Sequence, residues 1–361
     1  MTHGRQRRKA KQARRNQRRA RKRSAGAGAV EPVAEDVQNL LDPWSLLMFV
    51  SAQVEAVKDD PLAKYRSHQH DPMDLDYFLD RFVDDPSPGG AAIVALFGEL
   101  LEGDLQLRYR DALTAYNGPL PRWIAALPDV EVYRAVRIPH VLGDSDQLLI
   151  GVRSHDGHEA TCAVLIDHLD DSEITDGAVF VGSLDEAVDT LSGPDVTVVE
   201  MSLAETRAWV EPRLRQNFII RDTASWPGCR PLMQWLIRRL PSGGDSSAPA
   251  AWGDERTEEL LEEFFATKAG AAFGDRDHRC LLRELMESGT GDPTRWSAAR
   301  VERILDSRLE EGDYPLIVLL NVPDLLRAFI SFAHARSGIR EELTAQTLSA
   351  LDWRDGLGKF A

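Results

Sequence analysis

The sequence predicts an α+β protein that is mostly helical, with a small antiparallel β-meander in the middle and a disordered basic arm at the N-terminus. Three observations predict it. Apolar residues recur at three- and four-residue steps over residues 36–128 and again over 254–361. Near residue 130 that period gives way to runs of β-branched and aliphatic residues, two of which flank Asp156-Gly157, the signal of a two-residue hairpin turn with φ > 0 at both positions. The first 24 residues carry twelve basic side chains and no acid.

Residues 1–35 read as the arm and a joint, Ser24-Ala25-Gly26-Ala27-Gly28-Ala29. After Met1 no large apolar residue precedes Val30, so nothing offsets the entropy of ordering. In the helical segment 36–128, Asp42-Pro43 reads as an N-cap with proline in the first turn, opening a helix with Leu46, Leu47, Val50, Val54 and Val57 on one side. Asp71-Pro72 repeats the device before Met73, Leu75, Phe78, Leu79, Phe82 and Val83. Further helices are expected over 90–102 and 104–116, then a short piece around Trp123, bracketed by prolines.

The α+β unit, 129–240, begins with strands expected at Val130–His140, Gln147–Arg153, Thr161–His168 and Ala178–Val181. A further strand is expected at Val196–Val199, between two capping boxes, Ser183 to Glu186 and Ser202 to Glu205. A helix near 230–240 closes the unit. Pro241-Ser-Gly-Gly-Asp-Ser-Ser-Ala-Pro249 opens a linker, 241–253, and the helical domain 254–361 follows, with Gly270, Gly289, Gly312 and Gly338 placed as C-caps.

Bulk properties exclude several classes. The 361 residues hold three cysteines with no CxxC spacing, against a disulfide framework or a structural zinc site. No run reaches the ~18–20 apolar residues of a membrane span. Arg7-Arg8 is followed by more Lys, Arg and Gln rather than the apolar stretch of an export signal. The expected location is the cytoplasm, with no membrane contact. No GxGxxG, GxxxxGK[ST], GxSxG, HExxH or EF-hand loop appears. The sequence points to no cofactor and no dedicated metal site.

Charge is divided unevenly. Lys+Arg total 43 and Asp+Glu 58, a net charge of −15. Removing the arm's Arg5, Arg7, Arg8, Lys9, Lys11, Arg14, Arg15, Arg18, Arg19, Arg21, Lys22 and Arg23 leaves 31 basic against 58 acidic residues, or −27. Such an arm releases counterions on meeting phosphates, and its arginines suit forked phosphate contacts. No aromatic residue interleaves the charges, so base stacking and sequence readout are not expected. Nucleic acid or the ribosome is the favoured partner of residues 1–24. The competing readings are self-association with the acidic body, an inert solubilising tail, and docking on anionic lipid, the last lacking an apolar anchor. The acidic body could engage a protein partner.

A second cluster ends a strand: Leu165-Ile166-Asp167-His168-Leu169-Asp170-Asp171, then Glu173 and Asp176. Carboxylates with one imidazole could hold a divalent cation or act as acid and base. Against this, period-2 alternation turns Asp167 and His168 to opposite faces, and a polar loop explains the same residues. His155 and His158 read as exposed hairpin residues. The acidic runs beginning at Asp71 and Glu255 read as solvated helix faces, and Cys229 as a buried thiol.

Several segments carry a family likeness. His140-Val-Leu-Gly-Asp-Ser-Asp146, Leu148-Leu-Ile-Gly-Val152, Ile166-Asp-His168, Ser183-Leu-Asp-Glu186, Arg230-Pro-Leu232, Trp296-Ser-Ala-Ala-Arg-Val-Glu302 and Pro323-Asp-Leu-Leu-Arg-Ala-Phe329 with Phe332-Ala-His334 together resemble a family of actinobacterial proteins of unknown function. The resemblance covers most of 40–361. It implies a bacterial cytosolic setting and these segment boundaries, and no activity, cofactor or catalytic residue. The expected function is a non-catalytic binding protein whose arm engages an anionic partner, nucleic acid first. The alternatives are a metal-assisted hydrolase using Asp167, His168, Asp170 and Asp176, or a structural protein–protein adaptor.

Overall fold

A computed structural model describes residues 43–58, 73–169, 172–215, 225–226, 228–245, 252–287, 290–306 and 314–357. The basic arm, Asp71-Pro72, Asp170, Gly289 and Gly312 lie outside the described residues. Within them the fold is α+β, with fourteen helices around one five-stranded antiparallel sheet.

Five helices come first: α1 (Pro43–Ala56), α2 (Leu75–Asp84), α3 (Pro88–Leu100), α4 (Gly103–Ala115) and α5 (Arg122–Ala125). Helix α2 is capped by Asp74, whose carboxylate accepts the Tyr77 N–H at 3.0 Å, and not from Asp71 as the Asp-Pro pair suggested. Leu75, Phe78, Leu79 and Phe82 form its buried stripe. Helix α3 follows Ser87, whose hydroxyl accepts the Gly90 N–H, and is buried on nearly every side. That explains its almost unbroken apolar sequence.

Strands β1 (Glu131–Pro139), β2 (Ser145–Arg153), β3 (Glu159–Asp167), β4 (Glu173–Val181) and β5 (Val199–Met201) lie in the order β4-β3-β2-β1-β5. The hairpin at Asp156-Gly157 is present, with a different turn from the two-residue type expected. Ser154 donates its N–H to the His158 carbonyl, and the Gly157 N–H returns to Ser154. This three-residue loop needs φ > 0 only at Gly157, where φ is +87°. Strand β4 starts five residues before the expected Ala178, because Glu173 pairs with Asp167. The fifth strand is displaced too: Val199–Met201 pairs with β1, while Val196 makes a lone bridge to His140.

Strand β2 is buried on both faces, so Leu148-Leu149-Ile150 shows no alternation. Leu148, Ile150 and Val152 join a hydrophobic cluster running from Trp44 to Leu240, which includes α1–α3, α7 (Leu203–Arg215) and α8 (Arg230–Ile237). Leu149 faces the other way, with Val136, Ile138 and Leu184, under α6 (Leu184–Leu191). Both expected capping boxes form: Ser183 with Glu186, and Ser202 with Glu205.

The C-terminal helices are α9 (Asp254–Ala266), α10 (Arg276–Glu287), α11 (Ala298–Asp306), α12 (Leu316–Leu320), α13 (Val322–Ser337) and α14 (Glu341–Leu357). They enclose a separate cluster from Leu260 to Leu351, in which Phe264 meets Phe329 edge-on at 5.1 Å. Gly338 caps α13 in the left-handed region, at φ +70°. Gly270 is no such cap: α9 ends at Thr267, whose hydroxyl accepts the Gly270 N–H. The turn between β1 and β2 meets this part. Arg295 donates to the Val141 carbonyl, Leu142 packs with Ile339 and Leu343, and Arg340 forks onto Asp195 at 2.7 and 2.6 Å.

Candidate functional site

Asp146 is the second residue of β2 and His168 the first after β3. In the β2–β3 register Asp146 pairs with Ile166, so His168, two residues on, lies diagonally across from Asp146 on the same face. The His168 N–H bonds the Asp144 carbonyl at 2.7 Å, fixing the start of the loop. The imidazole then bridges two side chains. Its Nε2 lies 3.0 Å from Asp146 Oδ2, and its Nδ1 lies 2.9 Å from Ser172 Oγ. Asp146 is buried, at 4% exposure.

The proton positions follow from chemistry. An ionised carboxylate only accepts, so Nε2 carries the hydrogen and Nδ1 presents its lone pair to the Ser172 hydroxyl. Ser172 is the one non-glycine among the described residues with positive φ, +57°. Arg213 Nε holds its carbonyl at 2.7 Å, and a second Arg213 nitrogen bonds the Trp209 carbonyl. The Trp209 ring is edge-on to His168 and lies under the guanidinium groups of Arg137 and Arg213, at 4.8 and 5.0 Å. Arg137 also reaches Asp146 Oδ2 at 3.5 Å. Burial lowers the Arg213 pKa, and the Asp146 charge opposes that shift. Arg137 and Trp209 continue into an open hollow lined also by Glu200, Glu205 and Asp245.

Of the four residues expected to act together, three are described, and of these only His168 belongs to this arrangement. Asp167 accepts the Leu169 N–H at 2.8 Å, closing a local turn. The Asp176 carboxylate accepts the Gly177 N–H and the Ser225 hydroxyl. Asp170 lies outside the described residues, as do all twelve basic residues of the arm. Among the described residues no three His, Cys, Asp or Glu side chains gather as a metal-ligand set. His158 faces Asp156 at 3.7 Å on the exposed hairpin.

The cysteines divide as their burial dictates. Burial pushes the Cys229 thiol up to about 12, where it donates to the Gly177 carbonyl, and raises Cys162 as well. Cys280 is exposed, while the nearby His278 is buried against Asp275 and Asn321. Sequence reasoning missed Asp146, Ser172, Arg137, Trp209 and Arg213. The hairpin position alone could not have found Asp146: a two-residue turn at Asp156-Gly157 pairs it with Asp167, whereas the three-residue loop pairs it with Ile166 and sets it diagonal to His168. No family model, curated protein or solved structure matches the chain. Among the described residues no helix is long and apolar enough to cross a membrane.

Proposed function

We propose that the chain is a cytoplasmic nucleic-acid-binding protein whose residues 1–24 engage the phosphate backbone. The observation that carries this reading is the separation of charge: twelve cations with no acid in the arm, against −27 in residues 25–361. The body's arginines extensively serve its own carboxylates. Arg108 pairs with Asp76, Arg153 with Glu159, Arg279 with Glu262 and Arg340 with Asp195, each at 2.6 Å. Arg134 reaches both Asp185 and Glu200. Exposed pairs of this kind add only ~0–1 kcal/mol of stability. Their relevance is that they neutralise local positive potential on a body whose net charge repels phosphate. Phosphate is then drawn to the arm, without base readout.

The test compares the full chain with one lacking residues 1–24 on immobilised RNA and duplex DNA at low salt. Retention of the full chain and loss of retention without the arm is the expected result. Equal retention of the two chains would contradict the proposal.

A further inference from the structure

We propose that Ser172, His168 and Asp146 form a nucleophilic relay that cleaves carboxylic esters, an activity independent of the arm. The geometry is that of an activated serine: hydroxyl, imidazole and buried carboxylate in one line of hydrogen bonds, 2.9 and 3.0 Å long. The two ring nitrogens exchange their commonest roles, with Nδ1 toward serine, and the logic is unchanged because the carboxylate still fixes the tautomer. A left-handed backbone at a serine is strained, and such strain persists where the surroundings enforce it. Here the Arg213 bond to the Ser172 carbonyl and the His168 bond to its hydroxyl do so.

The chemistry balances with water as the only co-reactant. Ser172 Oγ bonds to the ester carbonyl carbon as its proton passes to His168 Nδ1. The carbon–oxygen bond to the alcohol breaks, and the leaving alkoxide takes that proton. Water then attacks the acyl group, giving its proton to Nδ1. The bond from Oγ to the acyl carbon breaks, the acid departs, and the proton returns to Ser172. Arg213 holds the Ser172 carbonyl and so fixes the backbone that presents Oγ to His168. Ser172 and His168 are the catalytic residues, and Asp146 is a positioning residue.

A fluorophosphonate probe on the full chain tests this by intact mass and peptide mapping, with p-nitrophenyl acetate hydrolysis as a second readout. One adduct per chain on Ser172 is expected, absent in Ser172→Gly. That substitution removes the hydroxyl and also relieves the positive φ, so the chain stays folded. His168→Asn should slow labelling by about 100-fold. Asp146→Asn should slow it near neutral pH and move the acid limb of the pH profile of labelling downward, because the imidazolium loses its anionic partner, which a purely structural role would not do. No adduct on the native chain, or equal labelling of Ser172→Gly, would overturn the proposal.

Discussion

His334 is fully buried between α13 and α14, and its two nitrogens are both assigned by their partners. Nε2 accepts the Trp296 N–H at 3.2 Å, while Nδ1 meets the Thr344 hydroxyl, which itself donates to the Arg340 carbonyl. Only the neutral ring with hydrogen on Nδ1 satisfies all three bonds. Burial accordingly lowers its pKa from the ordinary 6.5. The folded chain then binds fewer protons than the unfolded chain below pH 6.5, so this contribution to stability is complete above 6.5 and declines as pH falls. The melting temperature between pH 7 and 5 should fall more for the native chain than for His334→Gln. Parallel curves would contradict the assignment. Arg300 is a second such residue, 1% exposed, its guanidinium stacked on Trp296 and donating to the Leu285 and Met286 carbonyls near the end of α10. Burial lowers it to about 10, still charged at neutral pH, where it complements the negative end of the helix dipole. Arg300→Ala should cost about 3 kcal/mol in chemical denaturation, through lost packing and carbonyls left without donors. Neither role was legible in sequence, because the deciding partners include backbone groups 14 to 38 residues away, which no local pattern marks.

Elements were legible where local chemistry decides them. Ser183-Leu-Asp-Glu186 gives both bonds of a capping box within four residues, so it could be read directly. Ser183→Ala should lower stability by about 1 kcal/mol, measured by the denaturation midpoint. The Asp156-Gly157 hairpin was also plain, and its register carries Asp146 toward His168. Gly157→Ala should cost about 1–2 kcal/mol for forcing a side chain into the left-handed region, while Asp156→Ala should spare the backbone conformation. The start of β4 was hidden because Glu173 and Asp176 made a strand look like a polar loop. Asp167 and Asp176 bond elsewhere than His168 for a related reason: neighbours along a strand point to two faces. The relay instead joins residues from β2, the end of β3 and a loop, a combination set by register and by one strained residue.

At the scale of the molecule, one apolar cluster runs from Trp44 to Leu240 and another from Leu260 to Leu351, with the β1–β2 turn bonded between their helices and strands. The α+β class and its central meander followed from changes in hydrophobic period, whereas the docking of that turn on Arg295, Ile339 and Leu343 depends on long-range pairs that no periodicity encodes. The charge separation, by contrast, is a property of composition and was fully visible in the sequence. Under the proposed function, that separation selects a partner electrostatically through the arm, screened by salt and indifferent to base sequence. The most direct measurement is the affinity of the full chain for single-stranded RNA across a salt series. Log affinity should fall linearly with log salt, with a slope of several units bounded near about −8 for twelve contacts at about 0.7 each, and the chain lacking residues 1–24 should show no measurable binding. A slope near zero, or the same slope without the arm, would contradict it.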